Sequence, residues 1–195
     1  KIESYNFDIR KHLVQFDDVT NTQRDIIYKL RTDLIKKDNI EKIIKSLSEQ
    51  TAQKFISDIH IDDDKSITSL FDFINQEFTS KFGITVLSSN DTELEKMKSD
   101  ELEELIFDKL INVYDENKNS FSNEAEYLNI ISSFSIRIID YYWINHLTSI
   151  ENLRQGIGLQ SYGQKDPLMA FKKESLTLFE DLIENIQFGI IKNVI

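Results

Sequence analysis

The residues of this 195-residue sequence that could do chemistry are few, and the first of them form an acidic pair, Asp17 and Asp18. Paired carboxylates can bind a metal ion or exchange a proton in acid–base catalysis. Neighbouring side chains of a helix point about 100° apart, however, and no His or third carboxylate lies three or four positions after Asp18. We therefore expect neither a metal site nor a catalytic site at this pair.

Three further patterns lack a part that their chemistry requires. The triple aspartate at 62–64 has neither the glycine nor the distal glutamate of an EF-hand, which favours a solvated loop. Gly156 and Gly158 fall where a predicted helix ends rather than after a strand, so they form no dinucleotide-binding turn. His146 has no Ser, Cys or Asp at the spacing of a catalytic base, which favours a hydrogen-bonded packing role. Because no G-x-x-x-x-G-K-[ST] run occurs either, we do not expect this chain alone to be an enzyme.

The composition is that of a globular, helical protein. Thirteen Phe and seven Tyr favour a packed core, and one Pro with five Gly favours long helices. The net charge of −11 argues against nucleic-acid binding, and the absence of Cys excludes disulfides and Cys-bound metals. No apolar run reaches the ~20 residues that span a bilayer, and no signal peptide opens the chain. Because the chain begins with Lys1, we expect a fragment or a processed protein.

The acidic excess lies mainly in one segment of the chain. Residues 62–118 carry fifteen acidic and six basic side chains, whereas residues 1–38 carry seven and eight. This change in composition predicts boundaries near residues 61 and 119.

The first element that must position functional groups is a long helix. From residue 7 onward, one row of side chains repeats at alternating spacings of four and three: Ile9, Leu13, Phe16, Thr20, Gln23, Ile27, Leu30 and Leu34. This heptad seam predicts a continuous helix of about 40 Å. Its centre, Thr20 and Gln23, is polar and lies beside Asp17, Asp18, Asn21, Arg24 and Asp25. Two interpretations stay open: a solvated face with a weak centre, or a section that faces a polar partner or several domains.

Three shorter helices are predicted in the middle of the chain. Their apolar periodicities cover residues 40–59, 66–82 and 92–114, and Gly83 is expected to end the second.

Two long helices close the sequence. The first is predicted from residue 121 to about 159 with two apolar rows: Leu128, Ile131, Phe134 or Ser135, Ile138, Tyr142 and Asn145; and Ile136, Ile139, Trp143, Leu147, Ile150 and Leu153. Two rows predict burial over much of its circumference. Asp166 and Pro167 predict the start of the second helix, whose inward row is Leu168, Phe171, Ser175, Phe179, Leu182, Ile186 and Ile190. An antiparallel hairpin results, with Trp143 and Pro167 as structural anchors and Tyr162 at its tip.

Two sets of residues at fixed spacings stand near the two ends of the chain. The first set is Asn6, Phe7, Asp8, Ile9, Arg10, Lys11, Asp17, Asp18, Val19, Asn21, Gln23, Arg24, Ile27 and Tyr28. The second set is Trp143, His146, Leu147, Leu153, Arg154, Gly156, Ile157, Leu159, Tyr162, Gly163, Gln164, Lys165, Asp166, Pro167, Lys172 and Glu174. Both sets resemble the SecA family of protein-translocation ATPases, and the first resembles the start of its helical scaffold. The chain departs from the family pattern with Glu151 for Asp, Gln160 for a common Arg and Phe171 for Tyr.

The resemblance implies an all-α fold of three parts. These are a long scaffold helix in residues 1–61, a helical wing inserted at 62–118, and a second scaffold part with a two-helix finger at 119–195. The wing is assigned by its position between the two matching ends. Taken alone, Tyr162 fits a turn tyrosine that folds back on its hairpin. The resemblance implies instead a fingertip that contacts preprotein, formed by Tyr162, Gln160, Gln164 and Lys165.

For the long helix, the resemblance implies contacts to other domains of the parent protein through Arg10, Asp17, Asp18, Asn21 and Arg24. The implied partners are the SecYEG channel, unfolded preprotein, the parent's nucleotide-binding domains and an anionic membrane surface. ATP and Mg²⁺ would belong to those absent motor domains, and no cofactor is expected in this chain. The implied location is the bacterial cytoplasm and inner-membrane surface, with the plastid stroma and thylakoid as the alternative. The rival hypothesis is a stand-alone helical adaptor that binds partners through the seam and the acidic segment.

Overall fold

The computed structural model describes residues 2–36, 39–58, 67–85, 87, 99–160 and 166–195, with side chains at 14–36, 39–57, 72–85, 87, 99–157 and 166–195. Over these residues the fold is all-α. It contains six helices and no strand: α1 (Ile2–Lys36), α2 (Ile40–Asp58), α3 (Ile67–Phe82), α4 (Ser99–Ser120), α5 (Glu124–Gln160) and α6 (Pro167–Val194). The all-α prediction is confirmed.

The boundaries of the helices follow local signals where the sequence supplies them. Gly83 ends α3 with a φ of +77°, and its amide closes the last turn on the Thr79 carbonyl. At the start of α6, the Asp166 carboxylate accepts a 3.0 Å hydrogen bond from the amide of Leu168. The predicted loop at 62–64 and the predicted helix start at Thr92 lie outside the described residues.

Two predicted helix boundaries are wrong. The fourth helix continues to Ser120 instead of ending near Tyr114, because no Gly or Pro interrupts it. The next helix begins at Glu124 rather than residue 121, because the Asn123 side chain accepts a hydrogen bond from the Ala125 amide.

The two apolar rows predicted on α5 reduce to one buried seam. Its members are Tyr127, Ile131, Ser135, Ile139, Trp143, His146, Ile150 and Ile157. Phe134 and Asn145, from the first predicted row, are exposed, and so are Tyr141 and Ile144. The helix is therefore buried along one stripe rather than over much of its circumference.

Contacts divide the chain into two compact units. The first contains residues 1–36 and 135–186, and the second contains residues 37–134 and 187–195, so that α5 and α6 contribute to both. The division into segments 1–61, 62–118 and 119–195 stays a prediction.

The first unit consists of α1, the 135–160 part of α5 and the 167–186 part of α6. Its apolar cluster is centred on Ile150, Ile157 and Phe171, and partly buried side chains pack around it: Phe16, Val19, Leu153, Ala170 and Leu178. The predicted inward row of α6 is confirmed from Phe171 to Ile190, since each of its members is buried. This cluster holds α1 against the hairpin of α5 and α6.

The second unit is assembled around aromatic rings, and in it α2 packs against α4. Successive ring contacts join Phe55 to Phe78 (4.2 Å between centroids), Phe78 to Phe82 (5.2 Å) and Phe82 to Phe188 (5.1 Å). Such pairs add to the stability that burial of the rings provides.

Polar contacts close the second unit at its chain ends. The side-chain amide of Asn117 donates to the carbonyls of Val194 (3.3 Å) and Ile195 (2.9 Å), which α6 leaves without helical partners. Lys118 forms ion pairs with Glu41 and Glu124.

Candidate functional site on the helical hairpin

Three polar contacts tie α1 to α5. The Arg31 guanidinium meets both carboxylate oxygens of Asp140, at 3.1 and 3.2 Å. Nε2 of His146 lies 2.9 Å from Oε1 of Gln23, and Nη1 of Arg154 lies 3.2 Å from Oδ1 of Asp17. As residue numbers fall along α1, their partners rise along α5. The two helices are therefore antiparallel within the first unit.

The central contact belongs to a buried polar cluster, which we call the Gln23 network and define as Gln23, His146 and Ser175. The Gln23 amide nitrogen donates to the Ser175 carbonyl at 3.1 Å, which leaves the amide oxygen to accept from Nε2 of His146. All three residues are buried. One side chain of α1 thus bonds both helices of the hairpin.

Aromatic rings enclose the imidazole of this network. Trp143 stacks on His146 with 5.5 Å between centroids, and Phe179 approaches edge-on at 5.9 Å. Burial lowers the pKa of His146, and a hydrogen bond with the backbone of Leu178 acts in the opposite direction. The imidazole is accordingly neutral near pH 7. Because its side-chain partner is the amide of Gln23, its chemistry is that of a buried hydrogen-bonding group.

A half-open groove of about 330 Å³ lies between α1 and α5, toward the tip of the hairpin. Its apolar floor includes Phe16, Ile150 and Phe171, and its rim carries Asp17, Thr20, Asn21, Arg24, Leu147, Glu151 and Arg154. Nη1 of Arg24 donates to Oδ1 of Asn21 at 3.2 Å. Three residues expected to contact other domains, Asp17, Asn21 and Arg24, therefore share one rim.

The remaining residues expected at interdomain contacts are less closely placed. Asp18 is exposed on α1 and does not line the groove, and the side chain of Arg10 lies outside the described residues. Trp143 is buried on α5, and Pro167 occupies the first position of α6. Whether any of these residues contacts another domain stays a prediction.

The predicted tip of the hairpin lies between the end of α5 and the start of α6 in the sequence. Gln160 is the last residue of α5, and Asp166 caps α6. The predicted fingertip residues Tyr162, Gln164 and Lys165, together with the side chain of Gln160, lie outside the described residues. Their role as a contact for another polypeptide stays a prediction.

The sequence has no phosphate-binding loop of the G-x-x-x-x-G-K-[ST] type. In the part of the chain that the structure describes, no three His, Asp or Glu residues are grouped as metal ligands would be. In that same part, no helix is both long enough and apolar enough to cross a membrane.

The contacts of α1 with α5 could not be predicted from the sequence. Asp17 and Arg154 are 137 positions apart, and Arg31 and Asp140 are 109 apart, so no local spacing links them. Gln23 carried a signal: it is a polar residue inside a heptad seam, where a buried partner is to be expected. The Gln23 network also distinguishes the two interpretations of the helix centre. Gln23 faces a polar partner, supplied by this chain itself, while Asp18, Asn21, Arg24 and Asp25 form an exposed face.

Comparison with known proteins places the sequence in one family. The family model described as the SecA wing and scaffold domain matches residues 1–195. The protein translocase subunit SecA of Rickettsia africae is 33% identical over 100% of this chain, and that of Clostridium tetani is 34% identical over 98%. These matches cover 21% and 23% of the two relatives, so the chain spans about a fifth of their length. A match along the whole chain shows that this protein belongs to the SecA wing and scaffold domain family.

Proposed function

We propose that this chain is the scaffold-and-wing portion of a SecA-type preprotein translocase. In that role it couples ATP hydrolysis, performed by motor domains outside this chain, to the movement of unfolded preproteins through the SecYEG channel. The observation that carries the proposal is the family match over residues 1–195. The triple tie of α1 to α5 supports it, because tied helices transmit displacement from one to the other.

The proposed division of labour follows the chain. Residues 1–61 and 119–195 form the scaffold with its two-helix finger, and residues 62–118 form the wing. The long α1 lies against the parent's other domains through Arg10, Asp17, Asp18, Asn21 and Arg24. The last four are described, and they combine charges of both signs on an exposed face, which suits a polar interface.

At the tip, Tyr162 is proposed to contact preprotein, with Gln160, Gln164 and Lys165 beside it. An aromatic ring offers apolar contact to many side chains, and its hydroxyl can bond any peptide group. Contact of this kind does not depend on sequence, as transport of many different preproteins requires. Gln160 in place of the family's common Arg leaves the tip with one cation fewer.

The test is Tyr162→Ala in the full-length protein, assayed by ATP-driven preprotein import into vesicles that contain SecYEG and by crosslinking to preprotein. Both signals should fall several-fold, while ATPase activity without preprotein is unchanged. Tyr141→Ala is the matched control, because it removes the same kind of side chain from α5 at a position that is 63% exposed. Undiminished import and crosslinking by Tyr162→Ala would refute the fingertip role.

A second experiment concerns regulation of the motor. Added in trans to a motor that lacks this portion, the chain should bind and lower basal ATP turnover. Binding without any change in turnover would contradict a restraining role. ATP and Mg²⁺ belong to the motor domains in this proposal, and an anionic membrane surface is a partner of the parent protein; nucleic acid is not. The proposed location is the cytoplasm and the inner-membrane surface of a bacterium, with the plastid as the alternative.

The stand-alone adaptor is the less favoured function. An adaptor that binds through the seam of α1 needs that seam to be accessible, yet Ile27 and Leu34 are fully buried within this chain. The whole-length family match also favours the translocase portion.

A further inference from the structure

We propose that the Gln23 network fixes the register in which α1 docks on the hairpin. Gln23 is a buried polar residue in the otherwise largely apolar seam of α1, and it bonds α5 and α6 at once. The proposal concerns contacts within this chain, so it holds or fails independently of the translocase function.

Without such a residue, the seam of α1 would permit more than one register. Phe16 and Leu30 lie seven positions before and after Gln23, so a shift by one heptad places an apolar side chain opposite His146. Apolar burial is non-directional and discriminates weakly between such arrangements. In coiled coils, one polar residue at a core position specifies the register at some cost in stability.

The ion pairs on either side of the network discriminate poorly. The Arg31 and Asp140 side chains are 42% and 45% exposed, and pairs this exposed contribute little. A shift by one heptad that brings Arg24 opposite Asp140 restores one ion pair but brings Arg10 opposite Arg154, and the opposite shift brings Arg24 opposite Arg154. Because charges this exposed repel only weakly, the flanking charges alone do not exclude a slipped register.

The network excludes it because a slip leaves a buried donor without an acceptor. Nε2 of His146 gives its proton to Oε1 of Gln23, and neither Phe16 nor Leu30 could accept it. An unsatisfied buried donor is expected to disfavour the slipped state by about tenfold or more. With its register fixed, α1 moves with α5 and α6 rather than along them.

Crosslinking of this 195-residue chain tests the proposal, and the absence of native cysteine makes introduced pairs unambiguous. Asp17→Cys with Arg154→Cys reports the observed register. Arg24→Cys with Arg154→Cys, or with Asp140→Cys, reports a shift of one heptad in either direction. A short bis-maleimide crosslinker, which adds one cysteine thiol to each of its two ends, is applied to each pair in the chain that keeps Gln23 and His146 and in Gln23→Leu/His146→Leu, which makes the contact wholly apolar.

In the chain that keeps Gln23 and His146, only the 17–154 pair should crosslink. In Gln23→Leu/His146→Leu, the ratio of shifted to observed product should rise about tenfold, because the penalty for the unsatisfied donor is gone. Thr20→Leu is the matched control: it adds an apolar side chain to the same seam but keeps the network, since Thr20 bonds only its own helix at the Phe16 carbonyl. It should give only the 17–154 product.

Two results would overturn the proposal. One is a helical Gln23→Leu/His146→Leu chain that still crosslinks only at 17–154, and the other is slippage in Thr20→Leu equal to that of the double variant. If the double variant loses its helical circular dichroism, Gln23→Met, which has nearly the same volume and no amide, takes its place with the same pairs. Shifted product in Gln23→Met then supports the proposal, and its absence in a helical Gln23→Met chain overturns it.

Discussion

Removal of the Phe171 ring should loosen the contact between α1 and the hairpin. Phe171 has no exposed surface, belongs to the central apolar cluster and meets the Phe16 ring edge-on at 4.6 Å. Phe171→Ala would leave a cavity next to the groove and remove the partner of Phe16. We expect a loss of about 3–5 kcal/mol in the free energy of unfolding, part of it from the lost ring pair.

This loss corresponds to a fall in Tm of about 6–20 °C for a chain of this size. Urea unfolding followed by tryptophan fluorescence would measure it, because Trp143 is the sole tryptophan and is buried in the same unit as Phe171. The matched control is Met169→Ala on the same helix, whose side chain is 63% exposed. This control should change the free energy of unfolding by less than about 0.5 kcal/mol.

The reasoning would be refuted by a loss below about 1 kcal/mol in Phe171→Ala, since a collapsed cavity still removes a buried ring from an apolar environment. It would also be refuted if Met169→Ala cost as much as Phe171→Ala. In either case the cluster around Phe171 would not be what holds α1 in place.

Three further predictions concern polar groups. Burial lowers the pKa of His146, so the unfolded chain binds the proton more readily than the folded chain. The contribution of the neutral imidazole to the free energy of unfolding should be fully present above about pH 6.5 and should fall as the pH decreases toward the lowered pKa. Urea titrations at several pH values would measure this fall, which His146→Leu should lack. The hydrogen bond from Lys118 lowers the pKa of Glu41. The contribution of this exposed pair to the free energy of unfolding, below about 1 kcal/mol, should disappear as the pH falls below 4.5. Thermal melts at several pH values would detect this loss, which Glu41→Gln should lack. Asn117→Ala should lower the free energy of unfolding by about 1 kcal/mol and speed amide exchange at the end of α6. Asn185→Ala is the control and should do neither, because the Asn185 side chain bonds only its own helix. Equal exchange rates in the two variants would contradict the capping role of Asn117.

The positions of the helices could be predicted because their signals are local. Apolar periodicity gave the six helical segments, while Gly83 and the pair of Asp166 and Pro167 marked an end and a start. Where no such residue stands, as between Tyr114 and Ser120, the predicted end was wrong. A helix ends where a residue first satisfies its terminal backbone groups. In α4 this happens at Ser120, past the predicted end at Tyr114.

The candidate site could be predicted only in part. The role of His146 as a hydrogen-bonded packing residue followed from the absence of catalytic partners and is confirmed by its burial and its bond to Gln23. That Gln23 would be the partner, and that Asp17 would meet Arg154, depends on how α1 lies on the hairpin. Such pairing is decided by packing between segments more than a hundred residues apart, for which a single sequence holds no signal.

The spacing of the three ties between α1 and α5 has a mechanical consequence. On α5 they lie at Asp140, His146 and Arg154, which places them about 9 and 12 Å apart along the axis at 1.5 Å per residue. A force that pulls one helix lengthwise past the other would load all three ties at once, in shear. A force that lifts one end of α1 would break them one after another, as in unzipping. The contact should therefore resist force along the helix axes far better than sideways peeling, while the same helices can still be separated from one end.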